Sequence, residues 1–173
     1  FLLEINHVKQ KKDCIEVVEN EKTYQIPVED IVAPDYVIPV SANDADSAII
    51  NQIYSQRNVK LSVNTTFALG IVTGNNKKHV LTECCSGAEP IYKGKDITPY
   101  RLDKPSNFIC FNPEEYQQIA SVAYYRSKKI VYRFISNKII CALVDDGALI
   151  LNSANLLISK DYPMEILVCF LNS

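Results

Sequence analysis

KIVYRFISNKIICALVDDGALILNSANLLIS, residues 129–159, decides the fold class. Four short apolar runs occupy residues 129–135, 139–144, 148–151 and 156–158, separated by Ser136-Asn137-Lys138, Asp145-Asp146-Gly147 and a polar break before Leu156. Each run is too short for a packed helix, is rich in Ile, Val, Leu and Tyr, and is bounded by turn residues. That pattern predicts strands joined by tight connections. Working outward, residues 108–111, 67–72 and 79–82 read as further strands. Near the start, residues 1–5, 14–18 and 23–28 read the same way, with Asn20-Glu21-Lys22 as a hairpin turn. Residues 31–40 carry Pro34 and Pro39 and read as a connector rather than a central strand. Residues 87–99 read as a loop.

Helices are fewer. Asp46 or Ser47 can cap a helix over residues 48–57, whose Ile49, Ile50, Ile53 and Tyr54 form one apolar stripe expected to pack into a core. Asn112 can start a helix over 113–123 with Pro113 at its first position, and residues 162–171 read as a third. No βαβ alternation and no internal repeat is present. The expected class is α+β: a strand-rich, mixed or antiparallel sheet with a few flanking helices.

The chain has 173 residues, 47% hydrophobic and 22% charged, with a formal net charge of −2. This balance excludes wholesale disorder, collagen and coiled coil. The length suits one domain with a small appendage, read as residues 1–56 (connector or N-terminal subregion) and 57–173 (principal domain). No apolar run approaches the roughly 18–20 residues that span a bilayer, so no membrane partner is expected. The six cysteines form no C-x-x-C pair, and His7 and His79 lie far apart, so no zinc site is expected. Cys110, Cys141 and Cys169 sit in apolar stretches and read as small buried hydrophobes. This usage points to a reducing compartment, the cytoplasm. The sequence opens on Phe1-Leu2-Leu3 and stops at Leu171-Asn172-Ser173 within a helical pattern, so a domain truncated at both ends is expected.

The net charge hides an asymmetry. Residues 1–56 hold 4 basic and 10 acidic side chains, residues 57–138 hold 13 and 6, and residues 139–173 hold 1 and 4. A basic middle between acidic flanks points toward a polyanion, although lysines on solvated faces give the same count.

Motifs that carry catalytic chemistry are missing from the sequence. Asn112-Pro113-Glu114-Glu115-Tyr116 superficially resembles the Asn-Pro-Pro-aromatic motif that holds a flipped base in amino methyltransferases. Its second proline is replaced by Glu114, Glu115 intervenes before Tyr116, and no glycine-rich loop for S-adenosylmethionine occurs, so it reads as a helix cap. There is no Asp/Glu-x-Lys of a metal-dependent nuclease, no P-loop and no nucleophile elbow. No catalytic, metal or cofactor-binding residue is assigned.

Basic turns are more informative. Thr73-Gly74-Asn75-Asn76-Lys77-Lys78 follows a strand, with a glycine for the turn, two amides that can pair with bases and two cations that reach phosphates. Tyr92-Lys93-Gly94-Lys95-Asp96 repeats the theme. Lys128, Lys129, Arg133 and the turn Ser136-Asn137-Lys138 form a third cluster. Any one cluster is also the composition of a solvated hairpin.

Taken in order, Gly70-Ile71-Val72-Thr73-Gly74-Asn75-Asn76-Lys77, then Glu89-Pro90-Ile91-Tyr92-Lys93-Gly94-Lys95-Asp96-Ile97-Thr98-Pro99-Tyr100, Lys129-Ile130-Val131-Tyr132-Arg133 and Leu151-Asn152-Ser153-Ala154-Asn155 give residues 61–173 their resemblance. They resemble the TaqI-like C-terminal specificity domain, the target recognition domain of adenine-specific DNA methyltransferases and of type II restriction-modification enzymes that fuse methylation to an endonuclease. The resemblance implies a bacterial, cytoplasmic DNA-binding domain with duplex DNA as partner. Catalysis and S-adenosylmethionine would belong to a methyltransferase domain of the same polypeptide, absent from this chain. Thr73, Gly74, Asn75, Asn76, Lys77, Lys78, Lys93, Gly94, Lys95, Arg133 and Lys138 are the expected DNA-binding residues, with Arg101, Lys128 and Lys129 weaker candidates. The alternative is a protein-interaction or subunit-assembly module without DNA contact. A small stand-alone enzyme would need a pocket with converging titratable groups.

Overall fold

The computed structural model describes residues 14–19, 22–31, 38, 44–145 and 147–173. The expected strand at 1–5, the turn residues Asn20 and Glu21, most of the 31–40 connector, and Asp146 lie outside the described residues. The chain divides into two compact units, Phe1–Asn58 and Val59–Ser173.

In the first unit β1 (Cys14–Glu19) and β2 (Lys22–Pro27) pair antiparallel, from Cys14↔Pro27 to Glu19↔Lys22. Helix α1 (Asp44–Ser55) follows. Its stripe Ile49, Ile50, Ile53 and Tyr54 was expected in a core, yet all four side chains are exposed. Helical spacing aligns apolar residues on one face but does not supply a surface to cover them.

The second unit is built from β3 (Thr65–Leu69), α2 (Asn76–His79), β4 (Val80–Leu81), β5 (Glu89–Tyr92), β6 (Ile97–Thr98), β7 (Arg101–Leu102), β8 (Phe108–Ile109), α3 (Val122–Arg126), β9 (Lys129–Arg133), β10 (Cys141–Val144), β11 (Leu149–Ile150), β12 (Ala154–Ser159) and α4 (Met164–Leu171). One four-stranded sheet runs β10-β9-β12-β3 and is antiparallel throughout. A second runs β11-β5-β8-β4; its β11–β5 pair is parallel and the others antiparallel. The class is α+β with mixed and antiparallel sheets, as the strand pattern implies.

Strands β9, β10 and β12 of the first sheet are buried on both faces, which explains their unbroken apolar runs. Val131, Ala142 and Leu156 turn toward the main core with Ile91, Ile109 and Leu149. Their strand neighbours Ile130, Cys141 and Leu157 turn the other way, against Val168 and the flanking Met164 of α4. Asn172, just past α4, fastens this layer: its Nδ2 donates to the Cys141 carbonyl (2.9 Å) and its Oδ1 accepts the Cys141 N–H (3.0 Å). The amide thus completes the open edge of β10 as a neighbouring strand would.

Several local expectations need correction. Residues 113–123 are not one helix: a 3-10 turn covers Pro113–Glu115 and α3 begins only at Val122. Tyr116 turns inward, donating to the Cys110 carbonyl (3.1 Å) and accepting the Asn112 N–H (2.9 Å), and Gln118 bridges to Val72 in extended conformation. The segment 87–99 is not a loop but contains β5, a 3-10 turn at Gly94–Asp96, and β6, with Ile91 and Ile97 fully buried. Its Pro and Gly residues look like breakers, whereas Pro90 lies within β5 and Gly94 is packed against Ser153. Strand β9 stops at Arg133 and β10 starts at Cys141, so Phe134, Ile135 and Ile139 leave the ladder. Finally, Cys110 and Cys169 are exposed and only Cys141 of the three is buried. Ile109 and Val168 take the inward positions beside them, which turns both thiols out.

Candidate nucleic-acid interface

Three extended segments run parallel and leave the structure at one edge. Ile71 bridges Leu151 in parallel, and β11 pairs with β5 in parallel through Ile150↔Tyr92. The Ile71 N–H donates to Ile150 (2.7 Å), the Asn152 N–H to Ile71 (3.1 Å) and the Leu151 N–H to Tyr92 (2.9 Å). Beyond this shared edge the chains continue as Thr73-Gly74, Asn152-Ser153 and Lys93-Gly94. Parallel pairing forces these three connections to the same end.

Ser153 is the hub. Its Oγ accepts the Gly94 N–H (2.9 Å) and its carbonyl accepts the Phe134 N–H (3.1 Å). A Cβ on Gly94 would lie 2.3 Å from the Ser153 oxygen, so only glycine fits. Gly94 is buried, and its close approach is to the Ser153 backbone. The Lys93 N–H donates to the Asp96 carboxylate (2.7 Å), closing the 3-10 turn, and Lys93 Nζ donates to Asn107 Oδ1 (2.8 Å). Arg133 Nε donates to the Ile97 carbonyl (2.9 Å). Lys93 and Arg133 therefore brace this end, while Lys95 and Lys138 project exposed beside them.

The Gly74 segment is different. Gly74 has φ +76°, which favours glycine. Thr73 is buried and donates through Oγ1 to Asn76 Oδ1 (2.6 Å), so it shapes the turn instead of facing outward. Asn75 Oδ1 accepts the Lys78 N–H (3.2 Å) as the cap of α2. α2 then folds back along residues 112–116: Lys78 pairs with Glu115 (2.8 Å), and the His79 and Tyr116 rings meet edge-on at 5.5 Å. The Lys78 ammonium holds the Glu115 carboxyl below the usual carboxylate range. Lys77 is exposed. The expected residues thus form two groups: Lys93, Gly94, Lys95, Arg133 and Lys138 around Ser153, and Thr73 to Lys78 beside Glu115.

The weaker candidates are committed elsewhere. Lys129 is fully buried, with Nζ donating to the Tyr125 carbonyl (2.7 Å) and the Ser127 carbonyl (3.2 Å). Lys128 pairs with Glu165 and Asp145, and the Glu165 hydrogen bond raises its pKa. Arg101 reaches Thr98 (3.3 Å) and Asp103 (3.7 Å). Sequence reasoning missed Ser153 and Asn107 as organisers, because a Ser and an Asn beside strands carry no distinctive spacing.

A groove lined by Phe67, Leu69, Gln118, Ala120 and Tyr124 carries no charged side chain. Among the described residues no group of three His, Cys, Asp or Glu side chains gathers to hold a metal. Among them, too, no helix is long and apolar enough to cross a membrane.

Comparison with known proteins matches residues 89–173 to the TaqI-like C-terminal specificity domain. The match starts after the Gly74 segment and includes the whole Ser153 group. A 65-residue stretch is 38% identical to the type II methyltransferase M.VspI of Vibrio sp. (strain 343), covering 38% of this chain and 16% of that enzyme. The chain thus spans a small part of the length of that relative. Over residues 89–173 this chain carries a TaqI-like C-terminal specificity domain.

Proposed function

We propose that this chain is the site-reading part of a bacterial, cytoplasmic DNA methyltransferase of the restriction-modification type. It binds duplex DNA, while a methyltransferase domain of the same polypeptide holds S-adenosylmethionine and transfers the methyl group to adenine. An endonuclease activity in that polypeptide is compatible with the reading. Its main support is the convergence at Ser153 of the Lys93–Lys95 turn and the Arg133–Lys138 connection. Exposed Lys95 and Lys138 suit phosphate contacts, and the braced backbone between them suits fixed registry on a duplex.

The test is fluorescence anisotropy with the full chain on duplexes selected from a randomised pool. Affinity falls steeply with salt, and Lys95→Ala with Lys138→Ala reduces the slope of log K against log salt by about 1.8. Absent or salt-insensitive binding refutes the reading.

A second reading, a subunit-assembly module, draws on the exposed α1 stripe of Ile49, Ile50, Ile53 and Tyr54. It predicts self-association or capture of a partner subunit in sedimentation velocity, lost in Ile49→Glu with Ile53→Glu, with no DNA affinity.

A further inference from the structure

We propose that Phe134 and Ile135, on the connection between β9 and β10, form an apolar wedge that enters a base step of duplex DNA and kinks it. The inference rests on the DNA-reading function proposed above and assigns the residues that would deform the duplex.

Exposure comes first. Ile135 is 85% exposed, Phe134 59% and Ile139 53%, all within one seven-residue connection. Side chains of this size are stabilised when they leave water. The strands on either side bury Ile130, Val131, Cys141 and Ala142 completely. A contiguous apolar tip beside a well-filled core marks a contact surface.

Charge selects the occupant. From Ile130 to Val144 the sequence contains Arg133 and Lys138 and no carboxylate. Exposed Lys95 stands across Ser153 from the tip. An apolar point flanked by Arg133 and Lys138, with no carboxylate in its own connection, complements a polyanion with a stacked apolar interior. Architectural proteins combine the same two elements when a side chain unstacks a step and nearby cations hold the phosphates.

Rigidity is the third observation. The Arg133 N–H donates to the Ile140 carbonyl (3.1 Å), closing the connection, and the Phe134 N–H is held by Ser153 (3.1 Å). Arg133 Nε is bound to Ile97 (2.9 Å), and the Tyr100 N–H donates to Cys141 (2.9 Å). Tyr100 itself has φ +71°, an unfavourable backbone conformation for a bulky residue, and is 55% exposed. A wedge must not collapse against the protein as it meets the duplex, and these bonds fix the base of the tip from both sides.

The experiment uses the full chain with end-labelled duplexes selected for binding, read by energy transfer for bending and by 2-aminopurine for unstacking. Wild type raises both signals. Phe134→Ala with Ile135→Ser removes both signals and weakens binding about tenfold, with an unchanged salt slope. Lys138→Ala lowers the salt slope and keeps the bend. Binding without bending, or bending retained in the apolar double variant, overturns the wedge and leaves DNA reading intact. Loss of self-association in that variant with unchanged DNA binding also overturns it, making the tip a protein contact. Absence of duplex binding by wild type overturns the wedge and DNA reading together.

Discussion

Replacing Tyr125 by Phe removes one oxygen from the interior and tests how the Gly74 segment is held. The tyrosine is fully buried. Its hydroxyl donates to the Leu69 carbonyl (2.8 Å) and accepts the Ala120 N–H (3.2 Å). Leu69 ends β3, just before Ile71 and Val72. Ala120 lies two residues after Gln118, and Val72 and Gln118 exchange both backbone hydrogen bonds (2.9 and 3.0 Å). One hydroxyl therefore ties together the two chains that hold this bridge. Phenylalanine keeps the ring and its packing, so no cavity term arises. The loss is two hydrogen bonds, with a carbonyl and an N–H left facing apolar atoms. Partial access of water to these backbone groups moderates the cost, which comes to about 2 kcal/mol. For a unit of this size that is roughly 8 °C in Tm. Burial pushes the Tyr125 phenol above its ordinary pKa, so it stays neutral near pH 7. The assay is urea denaturation of the full chain, with amide exchange at Val72 and Gln118. Tyr124→Phe, on a half-buried neighbouring ring, should stay within about 0.5 kcal/mol of wild type. If Tyr125→Phe is equally silent, or if Val72 and Gln118 keep full protection, the hydroxyl does not hold the bridge.

Other outcomes follow from the same packing. Gly70→Ala places a Cβ 2.2 Å from the Leu151 oxygen and 2.6 Å from the Ala154 oxygen, both backbone, so it should cost about 3 kcal/mol in urea denaturation. Arg126 hydrogen-bonds Glu89, which lowers the Glu89 pKa below its ordinary 4.5. The pair therefore stabilises the fold fully above pH 4.5, by no more than about 1 kcal/mol at this exposure, and the contribution disappears as pH falls through the lowered value. Denaturation of Arg126→Met should differ from wild type at pH 7, and the difference should shrink as pH falls below 4.5. Burial pushes the Cys141 thiol up to about 11, so iodoacetamide at pH 8 should modify exposed Cys84 and Cys85 well before Cys141, as read by peptide mass mapping.

Strand content was legible because strands are local patterns. Runs around Ile130, Cys141 and Leu156 alternate between two buried faces, and their turns carry Asn, Gly and Asp. The 87–99 segment was misread because Pro90 and Gly94 are loop residues by composition. Gly94 is required instead by the Ser153 carbonyl, 59 residues away in sequence, a constraint that no local window contains. The segment 113–123 failed for a related reason: its cap and proline suit a helix, but the Tyr116 hydroxyl and the Val72–Gln118 bridge draw the chain into other contacts. Among the site candidates, residue type identified the cations and position decided their availability. Lys129 and Lys138 look alike in the sequence, yet one ammonium is bound to backbone carbonyls in the interior and the other is exposed on a turn.

The sequence by itself determined the strand-rich α+β class, the basic middle of the chain and the order of motifs that marks a specificity domain, since each depends on residue type and short spacing. Only the tertiary structure decided that Lys93, Arg133 and Ser153 meet at one end. It alone placed Lys78 against Glu115 and left Phe134 and Ile135 uncovered. Those facts depend on which strands pair in parallel and which backbone groups must be satisfied across long separations, and that information lies in contacts rather than in order along the chain.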